Sequence, residues 1–185
     1  MIRQIVKNKS TPVGFKIYVI AQHGFFLRWL WHVKASPYTA VIVKLPLPHE
    51  KGEKGNLKAT VALSNTQSDI IHLCNLLPKQ TYHVFTDDLF SSPNLFRALR
   101  EVGYGATGTA RPNCGIRKEL KEAKERNKAW KSSSLQCNEV MQIAWKDSNS
   151  VLFLSTVHTG ANNDRIRKKR KSPAKKGRKS ESQQI

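Results

Sequence analysis

The amino-acid sequence predicts an α/β fold in which helices pack on a mixed β-sheet. Three observations predict it. The first 45 residues contain near-continuous apolar runs of strand length, and two later segments carry apolar residues at the spacing of one helix face. Between and after those segments lie further β-prone runs. The predicted order is therefore strand, strand, strand, helix, strand, helix, strand, which produces a mixed sheet with crossover helices.

The first elements follow a leader loop, residues 1–13. Phe15–Ile20 and Phe25–Val33 predict a hairpin that turns near Gln22. Because both runs are almost continuously hydrophobic, we expect them to be central strands of a sheet that is covered on both faces. Tyr38–Leu45 predicts a third strand, and a polar loop rich in Pro, Gly and Lys follows it at 46–56.

The central elements are marked by breakers and caps. Thr66–Leu77 predicts a helix that ends before a proline, and Tyr82–Phe85 predicts a short strand. Ser92 is a good N-cap for the next helix, which begins at Pro93 and carries an apolar stripe of Leu95, Phe96, Leu99 and Val102. Gly103 ends that helix, and Gly105–Ala110 predicts a further strand.

The remaining elements are a charged helix at 116–130, with Glu122 and Arg126 as an i,i+4 pair, and a β-hairpin formed by Val140–Trp145 and Val151–Val157. The charged helix is interpreted either as a solvated surface helix or as a contact to DNA phosphates.

Two carboxylates, Asp87 and Asp88, stand at the carboxyl end of the Tyr82–Phe85 strand, one residue after it. In an open α/β sheet ligands bind at the carboxyl ends of the strands, and carboxylate oxygens are suitable ligands for a divalent metal. The alternative is that the pair only shapes the loop and the cap of the following helix. The spacing alone leaves both interpretations open.

The segment FTDDLFSSPNLFRALREVGYGATGTARPN (85–113) resembles the central block of the piggyBac-type transposase domain. Three other segments are similar to the same family, in the same order: GFKIYVIAQHGFFLRWLWHV (14–33), LLPKQTYHVF (76–85) and MQIAWKDSNSVLFLSTV (141–157). The resemblance implies a ribonuclease-H-like core whose first strand lies beside the strand that precedes Asp87. It also implies a DDE-type site, in which three Asp residues bind two Mg²⁺ or Mn²⁺ ions and the enzyme cuts and joins DNA ends.

Residue by residue, this chain departs from that site. Asp87 matches the second catalytic Asp, but Gln22 stands at the first position, and no segment matching the third follows Val157. A neutral amide lacks the charge needed to hold two divalent ions together. We therefore expect residues 14–158 to form an incomplete transposase domain that is catalytically inactive, a pseudoenzyme without a cofactor. The alternative is a metal-dependent strand-transfer enzyme or nuclease whose other ligands are Asp88, Asp147 or residues of a partner chain.

The charge distribution predicts a polyanionic partner. The chain has 32 Lys and Arg against 13 acidic residues, a net charge of +19, and its C-terminal segment 159–185 is basic with almost no apolar content. Such a segment is expected to be disordered. Its basic cluster consists of Arg165, Arg167, Lys168, Lys169, Arg170, Lys171, Lys175, Lys176, Arg178 and Lys179.

This basic cluster predicts nonspecific DNA binding and, through a nuclear import receptor, localisation to the nucleus. The alternative is that the segment is an inherited linker, because relatives carry a basic stretch at the same place.

Other site classes lack support in the sequence. The three cysteines, Cys74, Cys114 and Cys137, form no C-x-x-C motif, which argues against a disulfide framework or a Cys-based zinc site. Cys74 is expected to be a core residue, and the six histidines show no ligand spacing. No apolar stretch reaches the roughly 18 residues of a membrane span, so no membrane association is expected.

Overall fold

The computed structural model describes residues 3–33, 40–46, 58–126, 133–137, 140–146 and 149–158. Within these ranges the helices are α1 (Asn65–Asn75), α2 (Pro93–Glu101) and α3 (Lys118–Arg126). The strands are β1 (Arg3–Ile5), β2 (Val13–Phe15), β3 (Ile17–Gln22), β4 (Phe25–Trp31), β5 (Ile42–Pro46), β6 (Lys58–Ala62), β7 (His83–Thr86), β8 (Gly105–Ala110), β9 (Ser133–Cys137), β10 (Val140–Lys146) and β11 (Ser150–Ser155).

The main sheet is five-stranded and mixed, in the order β7-β8-β11-β10-β9. Strands β7 and β8 are parallel and are joined through α2, whereas the other pairs are antiparallel. Helix α2 packs on the sheet with Leu95, Phe96 and Leu99 fully buried. Helix α3 packs on β10 and β11. The predicted mixed α/β architecture is confirmed for this part of the chain.

Helix α2 begins and ends where its sequence predicts. The Ser92 side chain accepts a hydrogen bond from the Leu95 backbone N–H at 3.1 Å, and Pro93 occupies the first turn. Gly103 follows with a φ of +85°, a conformation that glycine adopts without steric cost. Val102 was predicted to belong to the apolar stripe of this helix, and this prediction was wrong. Val102 is the C-cap residue and is 46% exposed.

The remaining described strands form the two-stranded sheets β1–β2, β3–β4 and β5–β6. The turn between β3 and β4 contains His23 and Gly24, both with positive φ, which is the geometry of the tight hairpin turns that match strand twist. The predicted hairpin is therefore confirmed. The expectation that both of its faces are covered was wrong. Tyr18 and Leu30 are buried against Leu73 of α1, whereas Trp29 on the opposite face is 48% exposed.

The arrangement of the sheets also differs from the expectation that the resemblance implied. Strand β3 was expected beside β7, in one central sheet, but it pairs with β4 in a separate two-stranded sheet and β7 lies at the edge of the five-stranded one. The physical reason lies in the packing of Tyr18 and Leu30. Their apolar face is directed at α1 and at Phe90, so the hairpin docks on the helical layer instead of extending the sheet.

Several strands were not predicted. The leader loop, residues 1–13, was a wrong prediction, because β1 pairs with β2 there. The predicted third strand is seen at Ile42–Pro46, where it pairs with β6. Strands β6 and β9 were not predicted from the sequence. The segments 1–2, 34–39, 47–57, 127–132 and the basic segment 159–185 lie outside the described residues, so the prediction of a disordered tail falls there too.

Candidate active site

Asp87 lies directly after β7, at its carboxyl end, on the turn that leads to α2. The Asp87 carbonyl oxygen accepts hydrogen bonds from the backbone N–H groups of Phe90 and Ser91, both at 3.1 Å, and from the Ser91 hydroxyl at 2.9 Å. The turn is thus fixed through its backbone, and the Asp87 side chain is exposed to solvent. The sequence-predicted position at a strand end is what the structure shows, although the strand is not a central one.

A close approach of two strands supports this turn. The Thr86 hydroxyl and the Ser91 hydroxyl are 2.7 Å apart, and Gly108 of β8 lies directly against both residues. A Cβ at position 108 would collide with the Thr86 carbonyl, with its hydroxyl and with the Ser91 hydroxyl. Position 108 therefore requires glycine, because only a residue without a Cβ lets β8 lie this close to Thr86 and Ser91 on either side of Asp87.

Asp88 is held by a basic neighbour. Its Oδ1 atom lies 3.2 Å from Nη2 of Arg111, and both side chains are about half exposed, at 44% and 50%. The hydrogen bond that Arg111 donates to Asp88, together with the negative charge of Asp88, raises the pKa of Arg111. The Asp88 backbone N–H in turn donates to the Asp87 carboxylate. Of the two adjacent carboxylates, Asp88 is thus the one that is neutralised by an ion pair.

The Arg111 contact spans 23 residues of sequence, and the sequence reading did not assign Arg111 to the site. The signal was available, because Gly108 and Arg111 are the ends of the Gly-Thr-x-Arg stretch that the resemblance rests on. Both residues serve the turn: the glycine lets the strands approach, and the arginine offsets the charge of Asp88.

Gln22, the counterpart of the first catalytic Asp, is not brought to Asp87 as a strand neighbour. It is the last residue of β3, exposed, and its cross-strand partner is Phe25. Asp147 lies outside the described residues. In the described ranges no group of three His, Cys, Asp or Glu side chains could hold a metal ion. The donor set of the described residues therefore does not fit the two-metal site that the resemblance implied.

A contact between aromatic rings links the hairpin to the turn. The rings of Tyr18 and Phe90 meet edge to face with centroids 5.5 Å apart, and the Tyr18 hydroxyl is 3.1 Å from Nδ1 of His32. Phe90 also belongs to the core edge beneath α2. The hairpin that bears Gln22 is thereby held against the segment that follows Asp87, through an aromatic contact and without strand pairing.

The pKa values of a cysteine and a histidine are also shifted. Burial raises the pKa of the Cys74 thiol to about 11, and Cys74 belongs to the main core as predicted. His83 and His158, far apart in sequence, come together with ring centroids 5.8 Å apart. Partial burial and the neighbouring His158 lower the pKa of His83. Among the described residues no helix is long and apolar enough to cross a membrane.

Comparison with known proteins agrees with the motifs. Residues 2–185 match the sequence model of the family described as Transposase IS4. The chain is 28% identical over 157 residues to the human PiggyBac transposable element-derived protein 2, and the match covers 83% of this chain and 24% of the human protein.

Among solved structures, the cryo-EM structure of a piggyBac transposase synaptic complex with hairpin DNA matches with a TM-score of 0.60 and 16% identity, over 88% of this chain and 31% of that chain. The chain thus spans less than a third of the length of either relative. The family prediction made from the motifs is confirmed, and this chain belongs to the piggyBac-like transposase family.

Proposed function

We propose that this chain is a transposase-derived nuclear protein that binds DNA without sequence specificity and neither cleaves nor joins it. The observation that carries the proposal is the separation of Gln22 and Asp87 into different sheets. In the family the corresponding residues are both carboxylates and act on the same ions. Here the first is a neutral amide at the end of β3 and the second follows an edge strand of a different sheet, so the two residues do not lie on paired strands.

The immediate neighbour of Asp87 does not restore a ligand set. Asp88 is paired with Arg111, whose positive charge opposes the binding of a cation at that carboxylate. Two-metal catalysis of phosphoryl transfer requires ligands that hold ions on both sides of the reacting phosphate. The described residues supply Asp87 with Asp88 at one corner of the sheet, and this arrangement supports a structural turn better than a catalytic centre.

DNA binding is supported by charge. The net charge of +19 and the basic cluster within 165–179 favour a polyanion. A structural relative was solved in a synaptic complex with hairpin DNA, which makes DNA the polyanion that best fits this family. Because ten of the fifteen residues in 165–179 are Lys or Arg and none is aromatic, the binding the cluster provides is expected to be mainly electrostatic and independent of sequence.

The catalytic part of the proposal is tested with purified chain and DNA substrates. Supercoiled plasmid and duplexes with transposon-type ends are incubated with Mg²⁺ or Mn²⁺, and the unmodified chain is compared with Gln22→Asp and Asp87→Ala. We expect no nicking by any of the three, because a carboxylate at position 22 would still lie in the hairpin sheet. Metal-dependent nicking by the unmodified chain that disappears in Asp87→Ala would overturn the proposal.

The binding part is tested by fluorescence anisotropy with a labelled duplex over a series of salt concentrations. Replacing the ten basic residues of 165–179 by Gln should remove most of the affinity and flatten the dependence of log K on log salt, whose slope is about −0.9 per neutralised phosphate. The control is Arg117→Gln, directly before α3, combined with Lys121→Gln on α3, which should change little. A large loss in the control with no loss in the tail variant would assign the contact to α3.

Nuclear localisation is tested with the same tail variant. A fluorescent-protein fusion of the unmodified chain should accumulate in nuclei, and the fusion with the neutral tail should spread through the cell, because import receptors recognise clustered basic residues. Equal nuclear accumulation of both fusions would contradict the role of the basic cluster.

A further inference from the structure

One face of the N-terminal hairpins is apolar and uncovered. We define the outer face as the side chains that project from β1–β4 away from α1. Its members are exposed by 39–68%: Ile5, Val13, Phe15, Ile17, Trp29 and Trp31. They share a side because residues two apart on a strand do so, and because Ile5 pairs with Val13 and Ile17 pairs with Trp31.

The aromatic members of the outer face form a row. The rings of Trp29 and Trp31 are 5.1 Å apart at 88°, and those of Trp31 and Phe15 are 6.0 Å apart at 80°. These edge-to-face contacts hold each ring in place while leaving a substantial part of it in contact with solvent. The fold does not require this row, because the packing of the hairpin on α1 uses the opposite face, with Tyr18 and Leu30.

The charge of the N-terminal segment that carries the outer face has one sign. Residues 1–49 contain no Asp or Glu. Arg3, Lys7 and Lys9 are exposed on β1 and the loop after it, and Arg3 is the cross-strand partner of Phe15, which places it on the outer face. A second copy of this chain would bring the same positive charges together and is therefore a poor occupant. A ligand that is both anionic and rich in flat apolar surface is complementary.

We propose that the outer face binds unpaired nucleic-acid bases, which stack on Trp29, Trp31 and Phe15 while Arg3, Lys7 and Lys9 contact the phosphates. Unpaired bases expose the flat faces that an aromatic row can stack on, whereas in a duplex those faces are occupied by neighbouring bases. The residues of this surface are distinct in sequence from the basic cluster of 165–179, and stacking gives the chain a preference for single strands that electrostatic binding alone does not provide.

The test uses the full chain and two labelled probes, an oligothymidine strand of about 12 nucleotides and a duplex of the same length, at a salt concentration high enough to weaken the tail contacts. Trp31→Leu keeps an apolar side chain and removes the aromatic ring, whereas Trp31→Phe keeps a ring. Trp145→Phe in β10, half-buried beside Phe153, is the matched control outside the outer face. Circular dichroism and thermal melts establish that the variants are folded.

We expect Trp31→Leu to weaken oligothymidine binding by roughly tenfold and Trp31→Phe to weaken it by less than about threefold, with duplex binding unchanged in both. Quenching of tryptophan fluorescence by the strand should be smaller in Trp31→Leu and unchanged in Trp145→Phe. Equal strand affinity of the Leu, Phe and unmodified chains would overturn the proposal. So would self-association of the unmodified chain that Trp31→Leu abolishes, because the occupant would then be a second copy.

The result of this test can be distinguished from the results of the experiments that test the proposed function. Neutralising the basic cluster should lower strand and duplex affinity alike and leave the difference between Trp31→Leu and Trp31→Phe in place. A failure of tail-mediated DNA binding would therefore not remove the effect of the aromatic row, and a failure of the aromatic row would not restore or remove the salt-dependent duplex binding.

Discussion

The five-stranded sheet and the N-terminal hairpins use hydrophobic residues in opposite ways. In the sheet region, Leu95, Phe96 and Leu99 of α2 are fully buried on β8, β10 and β11. In the hairpins, Phe25 and Phe26 are 74% and 72% exposed, and the outer face is exposed as well. Both regions are rich in apolar residues, but α2 covers those of the sheet, whereas α1 covers one face of the β3–β4 hairpin and leaves the outer face exposed. Hydrophobicity therefore stabilises the fold in one region and remains available for binding in the other.

The same comparison explains how Asp87 and Gln22 became separated. Asp87 follows a strand whose neighbour β8 lies inside the covered sheet, whereas Gln22 ends a strand that belongs to a hairpin docked by its inner face. The contact of Tyr18 with Phe90 ties the hairpin to the segment after Asp87. Changes in the free energy of unfolding of variants in each region measure how far the two regions differ.

The largest effect is expected from truncating a large side chain in the covered region. Phe96→Ala should lower the free energy of unfolding by about 3–5 kcal/mol, because Phe96 is fully buried and its loss leaves a cavity under α2. Phe26→Ala, in the hairpin, should change it by less than about 0.5 kcal/mol. Urea denaturation of both variants measures the two effects. Comparable losses would mean that the hairpin aromatics are covered in solution.

The next effect depends on pH and on Cys74. Burial raises the pKa of this thiol to about 11, from an ordinary value of 9.0, so the folded chain retains a proton that the unfolded chain releases. The stabilisation is complete below pH 9 and is lost as the pH rises toward 11, by roughly 3 kcal/mol in total. The decline in stability across this window should be smaller in Cys74→Ala. Cys114→Ala, at a half-buried position, serves as the control.

If the decline between pH 9 and 11 is the same in Cys74→Ala as in the unmodified chain, lysine and tyrosine titration accounts for it and the thiol does not. Burial also raises the pKa of Cys114, although backbone hydrogen bonds and Lys121 lower it in part. Cys114→Ala therefore measures the contribution of the second cysteine separately from that of Cys74.

An intermediate effect is expected at the contact of β8 with the Asp87 turn. Gly108→Ala forces a methyl group against Thr86 and Ser91 and should destabilise the chain by about 1–3 kcal/mol. Gly14→Ala in β2 is the matched control, since no atom lies within 4 Å of the added Cβ there. Thermal unfolding of both variants provides the measurement. A neutral Gly108→Ala would show that the β7–β8 contact is looser than the structure has it.

The local elements of the sheet region could be predicted, because each is marked by its own residues. Ser92, Pro93 and Gly103 define α2, and a hairpin pattern defines β10–β11. Strand pairing could not be predicted in the same way. It depends on which face of β3 packs on α1, and β9 carries no local signal.

The candidate site divides along the same line. The position of Asp87 at a strand end followed from the adjacent sequence. The pairing of Arg111 with Asp88 and the placement of β3 and β7 in different sheets depend on contacts between residues far apart in the chain. The exposed aromatic row was missed for a related reason, because continuous hydrophobicity gives no indication of which face a neighbour covers.

The smallest effect on the free energy of unfolding is expected at the N-caps of the helices. Comparing the N-caps of α2 and α1 tests whether a local hydrogen bond contributes to stability where burial dominates. Ser92 accepts a hydrogen bond from the Leu95 N–H, so Ser92→Ala should cost about 1 kcal/mol. Ser64 stands at the same position of α1 without a side-chain hydrogen bond, so Ser64→Ala should cost about 0.3 kcal/mol or less. Chemical denaturation of the two variants gives the difference directly. Equal costs would show that the Ser92 hydroxyl adds nothing to stability beyond the packing of α2, whose apolar side chains Leu95 and Phe96 are fully buried.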